Sequence, residues 1–318
     1  RLAKGPWGHR IQIVDYNVSQ AEYYTPWDYE KKHEFIDPYA GQADLDKLLS
    51  DPRFHAQNAY AIAMRVLSRF EFAFGRRVSW AFESHQLKIA PHAFEDANAY
   101  YERRSESLQF GYFPNASGDQ NVFTCLSHDI VAHETTHAIL DGLQCRYVHP
   151  SSPDQAAFHE AFSDVIALLS VFALEDIVKK LISKNHPSAK NAGPRKVFSR
   201  KQVSIQAMRK SLLLGLAEQF GSEIYSVRGQ PLRQSIQIQP SKDYLKSAEF
   251  QDPHRRGEIL VAAVLNAFLR VFDARVQTLD ASGSGLFDED RVVEAAAKSA
   301  SHLLTIVIRA LDYCVPVH

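Results

Sequence analysis

The sequence has few of the features that identify several large protein classes. Only 3 of its 318 residues are cysteine, and these three, Cys125, Cys145 and Cys314, cannot all pair within the chain. At this density we expect buried thiols rather than a disulfide framework. The formal net charge is only −1, so no global field favours nucleic acid or an anionic membrane.

Long apolar runs and internal repeats are also missing. The longest apolar run, residues 259–272, is interrupted by Asn266 and Arg270 and is too short to span a bilayer. The chain begins at Arg1 with no apolar signal core, and both of its ends look cut from a longer polypeptide. The sequence therefore does not indicate the cellular compartment of the protein.

The remaining composition is that of an ordinary globular protein. Hydrophobic residues make up 45% of the chain and charged residues 23%, which is enough for a sizeable core. A chain of this length forms one large domain or two tightly joined lobes.

The most informative segment runs from Asp129 to His137 and contains the pattern His-Glu-x-x-His. Residues four apart on a helix lie on one face, so His133 and His137 can coordinate one metal ion. Glu134 is then placed beside the open side of that ion. A catalytic zinc usually keeps three protein ligands and one water, which predicts a third ligand elsewhere.

A second segment, residues 158–164, supplies that ligand. Glu160 and Asp164 are spaced i, i+4 among apolar neighbours, where a carboxylate is costly to bury unless it is paired or bound to metal. We expect Glu160 to bind the metal. Asp164 then has a natural role in accepting the second N–H of a zinc-bound imidazole.

These segments resemble the thermolysin-like zinc metallopeptidases, or gluzincins. That family joins an Asp-x-x-Ala-His-Glu-x-x-His helix to a later Asn-Glu-Ala-x-Ser-Asp helix, and residues 129–137 and 159–164 follow this order. Three shorter segments also resemble the family in its order, so the resemblance runs from about residue 55 to residue 275. They are Asn98-Ala99-Tyr100-Tyr101, Leu232-Arg233-Gln234-Ser235 and Asp252-Pro253-His254.

The resemblance implies a catalytic role for five residues. His133, His137 and Glu160 are expected to hold one catalytic zinc ion. Glu134 is expected to act as the general base, and His254 to stabilise the oxyanion together with the metal. Imidazole and carboxylate ligands suit several divalent ions, so the sequence does not decide which metal is bound in the cell.

Five further residues are implied to support that chemistry. Asp164 would orient a zinc-bound imidazole and Asp252 would orient the oxyanion histidine. Asn98, Ala99 and Arg233 would hold the substrate backbone. From the residues alone, Arg233 is open to reading as a surface arginine and Asn98 as a turn residue.

The chain also departs from the family pattern. His159 stands where the family usually has Asn, and it is either a partner of the zinc helix or a simple substitution. The family's active-site tyrosine has no clear counterpart, Tyr147 being the nearest candidate. After the second zinc segment only Glu175 and Asp176 follow an apolar run, so calcium stays open but the paired calcium site is not expected.

The expected fold is α+β with the two thermolysin-like lobes. A sheet-containing lobe would span residues 1–143 and include the zinc helix, and a mainly α-helical lobe would span residues 144–318, with substrate in the cleft. Apolar periodicity predicts strands at 10–16, 78–82 and 108–113. It predicts helices at 54–74, 129–143, 155–183, 203–220, 257–278 and 290–312.

The leading functional expectation is a zinc endopeptidase that prefers an apolar residue on the amine side of the cut. The amine-anchoring Gly-x-Met-x-Asn segment of related aminopeptidases is missing, which favours an endopeptidase. The alternative is a catalytically weak or inactive, zinc-stabilised interaction module of a larger protein. A latent protease held by a propeptide or by flanking domains is a third reading.

Overall fold

The computed structural model describes residues 2–17, 21–29, 37–144, 152–185, 197–210, 238–239, 241–280 and 283–314. The chain divides into two compact units, Arg1–His149 and Pro150–His318. Both helices and strands are present, as expected for the α+β class.

The first unit combines seven strands and three helices among its described residues. In chain order these are β1 (Ile11–Ile13), β2 (Tyr16–Asn17), β3 (Glu22–Tyr23), α1 (Leu45–Ser50), α2 (Pro52–Phe74), β4 (Leu87–Glu95), β5 (Ala99–Glu102), β6 (Ser107–Pro114), β7 (Asn121–Phe123) and α3 (His128–Leu143).

Five of these strands form one mixed sheet. The order is β1-β4-β6-β5, and β7 also pairs with β6. The pairs β1–β4 and β4–β6 are parallel, whereas β5 and β7 run antiparallel to β6. Helices α2 and α3 pack against each other and each contacts the sheet. The core of this unit is built of fully buried apolar side chains, including Ile11, Leu67, Phe70, Leu87, Ile89, Leu108 and Phe110.

Local sequence explains helix α2 well. Asp51 caps its N-terminus by accepting the backbone N–H of Arg53, and Pro52 occupies the first turn, where no amide donor is needed. The helix ends at Gly75, which has φ 67° in the left-handed region. The predicted helix at 54–74 and the predicted strand at 108–113 are therefore confirmed.

One sequence prediction in this unit is wrong, and one strand was not predicted. Residues 78–82 form no strand, although their side chains are branched and aromatic. The strand that was missed, β4, contains Pro91, a residue that normally argues against a central strand. Its pairing with β6 shifts register between Ala90 and Phe94, and this irregularity accommodates the proline.

Residues 78–82 instead pass close to the end of α3, at Gly142. A Cβ atom added there would lie 2.0 Å from the carbonyl oxygen of Ser79 and 3.1 Å from the Cα of Trp80. Only a residue without a side chain allows this approach.

We therefore expect Gly142→Ala to lower the free energy of unfolding by about 1–3 kcal/mol, the usual cost of overpacking. Chemical denaturation of the two proteins measures this difference. In an uncrowded helix the same change stabilises by about 0.5–1 kcal/mol. An unchanged or increased stability would therefore show that residues 79 and 80 leave room for a side chain at position 142.

The second unit is mainly helical in its described part. Its elements are α4 (Pro153–Phe172), α5 (Glu175–Asn185), β8 (Val197–Ser199), α6 (Pro253–Gln277), β9 (Leu286–Asp288) and α7 (Glu289–Ala310). Strands β8 and β9 form a two-stranded antiparallel ribbon. Helix α4 packs along α6, with the rings of Phe172 and Phe268 stacked 5.8 Å apart, and α7 contacts α4, α5 and α6.

The helix predicted at 155–183 is two helices in the structure. Helix α4 ends at Phe172 with Ala173 as its C-cap, and a new helix begins with Glu175 and Asp176 in its first turn. Acidic side chains stabilise a helix N-terminus, which favours a restart at this point. The helices predicted at 257–278 and 290–312 are confirmed, whereas most of the one predicted at 203–220 lies outside the described residues.

Cysteine placement is partly as expected. Cys125 is a fully buried free thiol, but Cys314 is exposed, so the expectation of a buried thiol is wrong there. Cys314 follows the last described helical turn, Leu311–Tyr313. Cys145 lies outside the described residues.

Candidate metal centre

Helix α3 is buried over an uninterrupted run from Asp129 to Asp141. A helix that must be apolar on every face normally contains few polar residues. Here Thr135 and Thr136 satisfy their hydroxyl groups by donating to the carbonyl oxygens four residues earlier, at 2.6 and 2.7 Å. The polar groups that need another explanation are His133, Glu134 and His137.

The two histidines face each other on one side of α3. Their Nε2 atoms lie 2.8 Å apart, and their rings meet edge to face with centroids separated by 4.5 Å. Both side chains are buried. The i, i+4 spacing thus brings two imidazole nitrogens to one point, as the sequence predicted.

Glu134 connects this helix to strand β5. Its Oε2 atom accepts the backbone N–H of Tyr101 at 3.1 Å, and its side chain is only 2% exposed. The hydroxyl of Tyr101 donates to Oδ2 of Asp141 at 2.7 Å, and Asp141 lies on α3 two turns after Glu134. Burial and the bond to Asp141 both raise the pKa of Tyr101, so its hydroxyl stays protonated and keeps donating.

Electrostatics at the N-terminus of α3 disfavour positive charge. His128 is the first residue of the helix, where the macrodipole already opposes an imidazolium. Burial, together with the nearby charge of Arg65, lowers the pKa of His128 to about 4. This ring is therefore neutral near pH 7.

The predicted substrate-binding residues of the first unit stand at the start of β5. Asn98 is exposed, and its side-chain oxygen accepts the backbone N–H of Ala99 at 2.9 Å. Its carbonyl oxygen accepts the N–H of Gly111 at 2.9 Å, which ties the entry of β5 to β6. Ala99 is buried, and β5 is the last strand on its side of the sheet among the described residues.

In the second unit, Glu160 and Asp164 occupy successive turns of α4. The packing of α4 on α6 brings His254 to Glu160, with Nδ1 of the imidazole 3.4 Å from Oε2 of the carboxylate. The His254 side chain is 66% exposed. The sequence assigned these two residues to the same site but did not predict that they touch.

Asp252 has a structural role in the same helix. It is the N-cap of α6, and its Oδ1 atom accepts the backbone N–H of Arg255 at 3.0 Å. Capping by aspartate stabilises a helix by about 1 kcal/mol. Orientation of His254 by Asp252 stays a prediction, and Arg233 and Tyr147 lie outside the described residues.

His133 and His137 offer two imidazole nitrogens that could hold a metal ion. Glu160, which lies in the second unit, stays the predicted third ligand. Two imidazoles and one carboxylate are a known donor set of catalytic zinc sites. Nitrogens bound to tetrahedral zinc at about 2.0–2.1 Å lie about 3.3 Å from each other, so the facing Nε2 atoms would have to separate by only about 0.5 Å. The donor chemistry of this group therefore fits the ion that the sequence predicts.

The structure also reveals a cluster that the sequence did not predict. His55, His92 and Cys125 are all buried and form a second group that could hold a metal ion. Burial and the neighbouring His92 lower the pKa of His55 to about 4. The three residues are 37 and 33 positions apart, so no spacing motif could have revealed them.

None of the helices formed by the described residues combines the length and the apolar composition that a membrane span requires. Comparison of the sequence with protein-family models gives no match, and neither does comparison with curated proteins.

Proposed function

We propose that this chain is a zinc-dependent endopeptidase that hydrolyses peptide bonds with Glu134 as its general base. One observation carries the proposal: a buried carboxylate stands on α3 beside two imidazole nitrogens 2.8 Å apart and contacts an edge strand. A purely structural metal site has no need of this carboxylate, whereas hydrolysis requires a base next to the ion.

The chemistry would be divided between the ion and the protein. When bound, zinc supplies Lewis acidity and lowers the pKa of water in its shell. Glu134 would take a proton from the attacking water and deliver it to the departing amine, which makes the amine a neutral leaving group. The N–H of Tyr101 fixes the orientation of that carboxylate.

Strand β5 would hold the substrate. It pairs with β6 along one side only and is the terminal strand of the sheet path among the described residues. An extended peptide can add to such an edge through main-chain hydrogen bonds. In the proposal Asn98 and Ala99 mark the entry to this edge, Arg233 holds a substrate carbonyl, and the residue after the cut is apolar.

The proposal takes Glu160 as the third zinc ligand and His254 as a donor to the developing oxyanion. The contact between the two side chains supports this assignment, because the Glu160 carboxylate turns Nδ1 of the imidazole toward itself and leaves Nε2 pointing elsewhere. A single oxyanion donor is worth about 3–4 kcal/mol in other enzymes. Asp164 would support a zinc-bound imidazole.

Digestion of a broad peptide library tests the proposal. We expect cleavage that is lost after incubation with a chelator and is restored by added zinc, with cuts before apolar residues. The metal-free protein should keep its circular dichroism spectrum, which separates lost chemistry from lost folding.

Two results would contradict the proposal. Cleavage that persists in the metal-free protein would rule out metal-assisted hydrolysis. A protein that binds zinc but cleaves nothing in the library would support the interaction module in its place.

A further inference from the structure

A second set of metal-ligand side chains lies within the first unit, on elements other than α3. His55 stands in the first turn of α2, His92 in β4, and Cys125 in the short helical turn Thr124–Leu126. The three side chains are at most 2% exposed, and one ligand atom from each lies within 4.8 Å of the other two.

Hydrogen bonds on the outer side of the two rings define their tautomers. Nε2 of His55 lies 2.9 Å from the carbonyl oxygen of Leu49, and Nδ1 of His92 lies 2.8 Å from a carboxylate oxygen of Asp15. Both oxygens can only accept, so each of these ring nitrogens carries the hydrogen. When both rings are neutral, the other nitrogens, Nδ1 of His55 and Nε2 of His92, have lone pairs.

Those two lone-pair nitrogens face each other at 2.8 Å. Two acceptors at this distance repel unless a cation lies between them. Metal-binding histidines show the same outer arrangement, in which the second ring N–H donates to a carboxylate or a backbone carbonyl. The site thus has two imidazoles already turned inward and supported from outside.

We propose that His55, His92 and Cys125 form a second metal site, separate from the pair on α3, which binds a zinc-like divalent cation. Imidazole and thiolate are ligands that zinc prefers, and the thiolate excludes hard ions such as magnesium and calcium. Binding converts the Cys125 S–H into a metal–sulfur bond and releases one proton to solvent.

The surroundings suit a structural ion. The rings of Phe123 and Tyr24 pack against His92 with centroids 5.2 and 5.0 Å away, so the site is enclosed by aromatic side chains. A cavity of about 320 Å³ is lined in part by Asp15 and Tyr24, two residues that contact His92. The ion would tie α2 and β4 to the turn that leads directly into α3.

Cobalt substitution tests this site separately from the one on α3. The metal-free chain is titrated with Co²⁺, and the near-ultraviolet absorption from thiolate-to-cobalt charge transfer is recorded. We expect the intensity of this band to correspond to one thiolate-bound cobalt per chain, because the donor set predicted on α3 contains no sulfur. It should reach that intensity by about two equivalents of added cobalt, since the α3 site also takes up the ion.

Two serine variants assign the band to one thiol. Cys125→Ser is expected to abolish the band and to lower the zinc content by about one equivalent per chain. The matched control is Cys314→Ser, which alters an exposed thiol and should leave both unchanged. His92→Asn is a second variant that removes an imidazole but keeps the thiol, and it should also abolish the band.

Either of two results with the cobalt form of the protein would overturn the proposal. If its cobalt form shows no charge-transfer band, or if the band survives Cys125→Ser, this cluster does not bind metal through its thiol. In the first case the two imidazoles share a proton instead. Circular dichroism of each variant checks that a lost band is not caused by unfolding.

Discussion

Replacing Glu134 by glutamine is expected to lower the rate of peptide hydrolysis by about 10²–10⁴-fold while the zinc content stays the same. This is the usual contribution of a positioned general base. Glutamine keeps the size of the side chain and an oxygen that can accept the N–H of Tyr101, but it cannot take a proton from water. Steady-state cleavage of a library-derived peptide and metal analysis measure the two effects.

The matched control is Glu83→Gln, which makes the same change at an exposed position. It should cleave at the parent rate. If Glu134→Gln also cleaves as fast as the parent, the assignment of the base is wrong even if the metal site is right.

The second large effect is expected from His137→Ala. The variant leaves a single imidazole at a point where two nitrogens now meet, so zinc bound at α3 should be lost. Loss of an outer partner of a metal ligand already costs about 10–100-fold in affinity, and loss of the ligand itself should cost at least as much. Peptide cleavage should fall to background. Metal analysis after dialysis against buffered zinc gives the affinity.

An exposed histidine provides the control for this experiment. His85→Ala removes an imidazole of the same unit and should retain both zinc and activity. The cobalt charge-transfer band assigned to Cys125 should persist in His137→Ala. A His137→Ala protein that is folded and keeps its zinc and its cleavage rate would exclude this residue as a ligand.

Local patterns predicted most of the individual elements. Helix α2 was readable from its apolar periodicity and from Gly75 at its end, and α3 from its His-Glu-x-x-His spacing. Strand β4 could not be predicted, because Pro91 interrupts its pattern and its place in the sheet depends on pairing with β6. The break after α4 was missed because the sequence continues to favour helix on both sides of Ala173.

In the candidate sites, too, some contacts follow from local sequence and others depend on tertiary packing. The facing nitrogens of His133 and His137 follow from helical geometry, since residues four apart share a face whatever surrounds them. The contact of Glu134 with Tyr101 depends on where β5 lies against α3, and no spacing in the chain reveals it. The contact of His254 with Glu160 likewise requires α6 to pack on α4.

The sequence by itself therefore determined the pair of histidines on α3, the acidic residue between them and the helical character of the later half. It did so because helix periodicity is a local property of the backbone. Only the tertiary structure brought His55, His92 and Cys125 together from a helix, a strand and a turn. Their meeting depends on sheet pairing and helix packing between distant parts of the chain, which leave no periodic trace in the order of residues.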